Sequence, residues 1–229
     1  YSREEMEALK EICIKHNLYL FSDEAYREFC YDGDYVSAMH LSGLEQHVVL
    51  MDTISKRYSA CGARLGAFVT KNKLVNDAAM KFAQARLSPP GLAQIMGEAA
   101  VDLPDSYFDA PKKEYQRRRD LLVNRLNAMK GVFCPNPGGA FYAIAKLPID
   151  DSDKFCQWLL EEFSYNNQTV MLAPATGFYG TAGLGKNEVR LAYVLNLDAI
   201  NAAMDCLEKA LEQYPGKVVA KEEKAVLSK

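Results

Sequence analysis

Residues 48–66 read Val48-Val49-Leu50-Met51-Asp52-Thr53-Ile54-Ser55-Lys56-Arg57-Tyr58-Ser59-Ala60-Cys61-Gly62-Ala63-Arg64-Leu65-Gly66. The first four form an unbroken apolar run that ends in two polar residues. A short run without alternation fits a strand covered on both faces, as in an α/β sheet. Lys56, just past its end, is placed to lose solvation. That favours a neutral amine, which can attack a carbonyl carbon and form an imine. Thr53, Ser55 and Arg64 add two hydroxyls and a guanidinium fork, a set that suits a phosphate. Gly62 and Gly66 are expected to let the backbone turn tightly around Arg64. Composition alone also allows a polar surface loop with Lys56 and Arg64 solvated.

Moving outward, Leu18-Tyr19-Leu20-Phe21 is a second apolar run, ending at Ser22-Asp23-Glu24-Ala25-Tyr26, and Gly66–Thr70 is a third. Asp23 lies just beyond its strand and Tyr26 three residues on. A helical turn there would face both into one crevice; alternatively Asp23 only caps that turn. Ligands of open α/β sheets bind beyond the carboxyl ends of strands. A third polar cluster is Asn187-Glu188-Val189-Arg190-Leu191-Ala192-Tyr193-Val194. Arg190 interrupts an apolar strand, so it needs an anionic partner such as a carboxylate, or an edge strand that lets it reach water.

The rest of the chain supplies helices. Ser2-x-x-Glu5 is a capping box, with Met6, Leu9 and Cys13 at helical spacing to about His16. Helices are predicted over 73–86, 92–101, the polar stretch from Pro104 to Met129, 153–163 and 197–214, with strands over 141–145 and 189–194. The Arg117–Arg119 run reads as a solvated helix face, diluted by Glu114 and Asp120. A domain boundary fits the Pro104–Pro111 stretch, and the charged tail from Lys217 is expected to fray or dock loosely as a terminal helix.

With 27 Lys plus Arg and 30 Asp plus Glu among 229 residues, the formal charge is −3. That balance lacks the basic excess of a nucleic-acid binder. No apolar run approaches the roughly 18 residues that suggest a transmembrane helix. The cysteines at 13, 30, 61, 134, 156 and 206 stand singly. No zinc site or disulfide framework is expected; buried free thiols in a reducing cytoplasm are. His16, His40 and His47 show no metal-ligand spacing.

Taken together and in this order, S-D-E-x-Y at 22–26, S-K-x(7)-R-L-G at 55–66 and V-R-L at 189–191 resemble the fold type I pyridoxal-phosphate enzymes. More narrowly, they resemble the class I/II aminotransferases that include aspartate aminotransferase. Gly138-Gly139-Ala140-Phe141-Tyr142 is similar to the family's P-G-G-x-F-Y segment, which lines the substrate pocket. The resemblance covers Tyr1 to about Tyr214.

It implies an α/β fold: part of a large pyridoxal-phosphate-binding domain with a mainly parallel sheet covered by helices (1–108), a smaller α+β C-terminal domain (109–214) and a charged tail (215–229). It implies pyridoxal 5'-phosphate as cofactor, with Lys56 as the Schiff-base lysine and as the acid/base of the proton shift. Asp23 would pair with the pyridine nitrogen and Tyr26 with the ring oxygen. Thr53, Ser55 and Arg64 would hold the phosphate, and Arg190 the substrate carboxylate. No metal is implied. Expected partners are an amino acid, with aspartate or an aromatic one foremost, a 2-oxo acid such as 2-oxoglutarate, and a second subunit in a homodimer. A lyase or decarboxylase on the same scaffold, and a non-catalytic cofactor-binding module, are the competing expectations. The resemblance further implies that the chain is the C-terminal portion of a longer subunit, with Tyr1 falling just after the family's N-P-x-G turn.

Overall fold

The computed structural model of the chain describes residues 1–218. Most of the charged tail, residues 219–229, lies outside the described residues. The chain divides into two compact units, Tyr1–Lys112 and the part from Lys113 onward.

The first unit opens with helix α1 (Arg3–His16), started by the expected capping box. Ser2 Oγ accepts from the Glu5 N–H at 3.2 Å, and Glu5 Oε2 accepts from the Ser2 N–H at 2.7 Å. Two otherwise orphan donors are thereby satisfied. The helix buries Met6 and Cys13 in a cluster with Leu41, Leu44 and Val48. Strand β1 (Leu20–Asp23) pairs in parallel with β2 (Val48–Thr53), Leu20 opposite Val48 and Asp23 opposite Met51.

The first strand begins two residues later than its apolar run and includes Asp23. The ladder sets these limits: the Leu20 N–H donates to His47 O at 2.8 Å and the Glu24 N–H to Met51 O at 2.9 Å. A single turn, α2 (Ile54–Arg57), follows β2. Strand β3 (Gly66–Val69) then returns antiparallel, Gly66 opposite Thr53. Gly66 is required by close approach, because a Cβ there would lie 2.8 Å from Asp52 O.

Coverage of all three strands was expected from their apolar runs, and here the structure differs. The first three residues of β2 are buried, whereas β3 is exposed along its length, Phe68 by 43%. Ala67 and Val69 of this strand line an open cleft. Helices α3 (Lys73–Arg86) and α4 (Gly91–Val101) follow. Helix α5 (Ser106–Ala128) runs from the first unit into the second; within it Pro111 has no N–H to offer the carbonyl of Tyr107.

The second unit continues with β4 (Tyr142–Lys146), α6 (Ser152–Glu161), β5 (Ala173–Pro174), β6 (Glu188–Ala192) and α7 (Leu197–Gln213). Its sheet has the order β4-β6-β5 with both pairings antiparallel. Phe155, Leu159, Val189, Tyr193 and Leu207 are fully buried there. Each such side chain contributes about 1.5–3 kcal/mol.

The arginine run of α5 is not wholly a solvated face. Arg119 is 4% exposed, donates from Nη1 to Pro137 O at 3.0 Å and pairs with Asp120. The helical period explains this: Arg119 shares a face with buried Leu122, Val123 and Leu126. The thiols also differ from expectation. All six are free, but Cys61 is exposed and Cys30 half-buried. Cys61 follows the turn after α2, where the chain runs over the surface.

Candidate active site

Because β1 and β2 are parallel, their carboxyl ends lie at one edge of the sheet. The antiparallel β3 brings its amino end to the same edge. Six candidate residues therefore share that edge: Asp23 and Thr53 end their strands, Tyr26 sits in the turn after β1, Ser55 and Lys56 lie in α2, and Arg64 precedes β3. The seventh, Arg190, belongs to the sheet of the second unit.

Asp23 is exposed, and its Oδ1 accepts from the Ala25 N–H at 3.1 Å. It does cap the turn, as the simpler reading has it, yet Oδ2 keeps no partner among the described residues. Next to it, Glu24 is 4% exposed and fully engaged. It accepts from the hydroxyls of Ser22, Ser37 and Tyr35 and from the Ala38 N–H.

Thr53 caps α2. Its Oγ1 accepts from the Ser55 N–H at 3.1 Å and lies 2.8 Å from Ser55 Oγ and 3.0 Å from Leu65 O. Thr53 has one hydroxyl proton: given to Ser55 Oγ, it leaves the Ser55 proton for another acceptor, and given to Leu65 O, it makes Ser55 the donor to Thr53 Oγ1. Lys56 is half-buried. Arg64 is exposed, with Nη1 donating to Cys61 O at 3.0 Å. The turn around it is made by left-handed backbone at Ser59 (φ 51°) and at Arg64 itself (φ 56°). Gly62, expected to supply that freedom, has neither a positive φ nor a close neighbour.

Arg190 lies on β6, the central strand, with Ile144 on one side and Ala173 on the other. The edge-strand alternative therefore fails. Its guanidinium carbon sits 4.8 Å from the Tyr142 ring and 4.9 Å from the Phe178 ring. Stacked between two aromatic faces, it has no carboxylate in ion-pair range among the described residues. The Gly138–Tyr142 segment is pinned beside it. The hydroxyl of buried Tyr193 donates to Ala140 O at 3.1 Å, and Phe141 stacks on Tyr115.

Glu24 and Phe178 were given no role in the sequence reading, and Tyr142 entered it only as part of the Gly138–Tyr142 segment. Glu24 carried one usable signal, an acid three residues beyond an apolar run. Phe178 carried none, since it is 12 residues before Arg190 and reaches it only through the fold. A cleft of about 760 Å³ in the first unit is lined by Arg27, Glu28, Tyr35, Asp52, Asp105 and Lys112, and by none of the seven candidates.

An acid and a lysine beyond the carboxyl ends of adjacent parallel strands stand where ligands of open α/β sheets bind. The chain belongs to the family aminotransferase class I and II, whose profile matches residues 1–192. It is 30% identical over 217 residues to the aspartate aminotransferase of Pyrococcus horikoshii, covering 92% of this chain and 52% of that protein. Its fold is similar to the crystal structure of aspartate aminotransferase from Thermotoga maritima (TM-score 0.79, 29% identity, 93% of this chain and 52% of that one). It is also similar to the aromatic aminotransferase of Pyrococcus horikoshii (TM-score 0.81, 26% identity, 93% and 56%). The chain spans about half the length of the curated relatives it matches.

Enzymes of this family depend on pyridoxal phosphate, and the residues at the sheet edge fit that group. They combine an amine, a carboxylate with one open oxygen, two adjacent hydroxyls and an exposed guanidinium. In the second unit, among the described residues, Arg190 is a stacked cation without an acid.

Proposed function

We propose that this chain is the C-terminal portion of an aminotransferase subunit that moves an amino group between an amino acid and a 2-oxo acid. Residues 1–108 would form part of the larger, cofactor-binding domain, 109–214 the smaller domain and 215–229 a tail. The observation that carries the reading is the placement of Lys56 and Asp23 at the same edge of two parallel strands.

The cofactor would supply an electron-poor ring that accepts the electron pair left when an α-proton is removed. Asp23 Oδ2 would hold a proton on the ring nitrogen, since a carboxylate favours a neighbouring positive charge. Tyr26 would donate to the ring oxygen. Ser55, Thr53 and Arg64 would bind the phosphate through charge-assisted hydrogen bonds. Lys56 Nζ would hold the group and, once freed by substrate, act as the base that takes the α-proton and as the acid that returns it two atoms away, across the nitrogen being transferred. One amine can do both because it stays beside the reacting atoms. Arg190 would grip the α-carboxylate bidentately, its plane fixed by Tyr142 and Phe178.

Aspartate is the favoured donor and an aromatic amino acid the competitor, with 2-oxoglutarate as acceptor. A homodimer completes the reading, with a reducing cytoplasm as the compartment that six free thiols suit. The test is borohydride reduction of the cofactor-loaded protein followed by peptide mapping. The label is expected on Lys56; a label on another residue, or none, overturns the proposal. Adding amino acid without oxo acid should convert the cofactor stoichiometrically to its aminated form, whereas a lyase would restore the starting spectrum. Arg190→Ala should weaken amino-acid binding by about 2–5 kcal/mol, read as a raised Kd with the Lys56 label retained.

A further inference from the structure

Four charged side chains of the first unit close into a ring. Arg57 Nη2 lies 2.7 Å from Glu28 Oε1, and its Nη1 lies 3.4 Å from Asp52 Oδ2. Arg27 reaches the same two oxygens, 3.2 Å to Glu28 Oε1 and 3.3 Å to Asp52 Oδ2. Each guanidinium spans two carboxylates and each carboxylate joins two guanidiniums. The side chains of Arg57 and Asp52 are only 10% and 16% exposed. The members come from three places: the turn after β1, strand β2 and the last residue of α2. Arg57 also lies over the Tyr58 ring, which packs on Phe108.

We propose that this ring is a positioning device, which locks the turn carrying Asp23 and Tyr26 to the helical turn carrying Lys56. It rests on the roles proposed above for Lys56, Asp23 and Tyr26. The reasoning is geometric. A helix of four residues has little stiffness of its own. Thr53 holds the start of α2, and Arg57 holds its end. Successive residues of a helix are separated by a fixed rotation, so fixing the direction of Arg57 fixes that of Lys56. On the other side, Glu28 stands two residues after Tyr26 in a turn closed by Arg27 N–H to Glu24 O and Phe29 N–H to Tyr26 O.

Stability alone accounts poorly for the ring. Buried ion pairs are often no more stabilising than apolar residues of like volume, because desolvation offsets attraction. In addition, Arg57 Nε is buried with no hydrogen-bond partner, a cost that a residue kept only for stability would not carry. What two planar guanidinium forks add is a defined spacing and orientation between the segments they join. Arg57 is thus assigned as a positioning residue, with Arg27, Glu28 and Asp52 as its frame.

The experiment compares the native-length protein with Arg57→Met, Arg57→Lys and Arg27→Gln. In the cofactor-free protein, amide hydrogen exchange is followed at Arg27 and Phe29 in one segment and at Tyr58 and Ser59 in the other. Arg57→Met is expected to speed exchange about tenfold in both segments together, equivalent to about 1.4 kcal/mol of lost local protection. Arg57→Lys is expected to restore part of it. In the loaded protein, the pH midpoint of the visible absorbance of the lysine-held cofactor is expected to shift in Arg57→Met.

Exchange that rises evenly through the first unit, or only at Tyr58 and Ser59, with an unmoved absorbance midpoint, overturns the inference. Should Arg57→Met fail to fold, Arg27→Gln takes its place, since the Arg27 side chain is 33% exposed. Coupled acceleration in both segments supports the ring, and no acceleration in either overturns it. Failure of the unaltered protein to hold the cofactor on Lys56 would instead sink the functional reading and leave the exchange result standing.

Discussion

Replacing Glu24 tests how the end of β1 is held. Its carboxylate ties β1 to residues 35–38: it accepts from the Ala38 N–H at 2.9 Å, from Ser37 Oγ at 2.9–3.0 Å, from Ser22 Oγ at 3.0 Å and from the Tyr35 hydroxyl. Ala38 is completely buried, so in Glu24→Ala its N–H faces no acceptor and no water. That single orphan costs about 1–3 kcal/mol. Losing hydrogen bonds to an ionised acceptor costs about 1.5–3 kcal/mol each at full value. The hydroxyls can turn to other acceptors and the effects are not additive, so about 3–5 kcal/mol is expected for the alanine variant.

Glu24→Gln keeps a carbonyl oxygen for Ala38 and offers an NH2 that the hydroxyls can accept. It loses only the charge assistance, about 1–2 kcal/mol. The assay is urea unfolding followed by circular dichroism, because the only tryptophan, Trp158, lies in the second unit. An alanine variant within about 1 kcal/mol of the native protein, or a glutamine variant as unstable as the alanine one, would refute this account of the strand end.

Three further outcomes are expected. Gly66→Ala places a Cβ 2.8 Å from Asp52 O; forcing the two strands apart should cost about 1–3 kcal/mol, read as a lower Tm and weaker cofactor uptake. Glu28 is raised from its ordinary value of 4.5 by burial, with Asp52 and Asp105 adding to the effect against Arg27 and Lys112. The folded state therefore favours its protonated form: this contribution to stability is fully present below pH 4.5 and is lost as pH rises through the elevated value. Glu28→Gln should flatten the pH–stability profile just above pH 4.5, and an unchanged slope there would contradict the assignment. Among the thiols, burial pushes Cys134 and Cys156 up to about 11, while Cys61 is exposed. Iodoacetamide at pH near 8 should label Cys61 first, and peptide mass spectrometry would show an early label on Cys134 or Cys156 as a failure of that ordering.

Much of the candidate site was legible from local pattern. Lys56 and Asp23 stand a few residues beyond the apolar runs that end at Met51 and Phe21, and strand ends are where an open sheet collects ligands. Helix α1 was readable at its start because a capping box involves residues only three apart. Arg119 was misread because an arginine run looks polar in one dimension, whereas the helical period turns one of its members onto the apolar face with Leu122 and Leu126. Gly62 was credited with a turn that Ser59 and Arg64 make by adopting left-handed backbone themselves. The edge-strand alternative for Arg190 could not be settled locally, because strand order is a property of the whole sheet.

Sequence alone was enough for residue types and their order: an amine, an acid and hydroxyls at the ends of apolar runs, with an arginine inside another. Those follow from hydrophobic periodicity and chemistry that act over a few residues. Tertiary structure decided which distant groups meet. The Glu28–Arg57 pair spans 29 residues, and the Ser37–Glu24 bond 13. Such contacts depend on the parallel pairing of β1 with β2 and the long connection that pairing requires. No short-range pattern encodes them, because the free energy that forms them comes from packing the intervening chain.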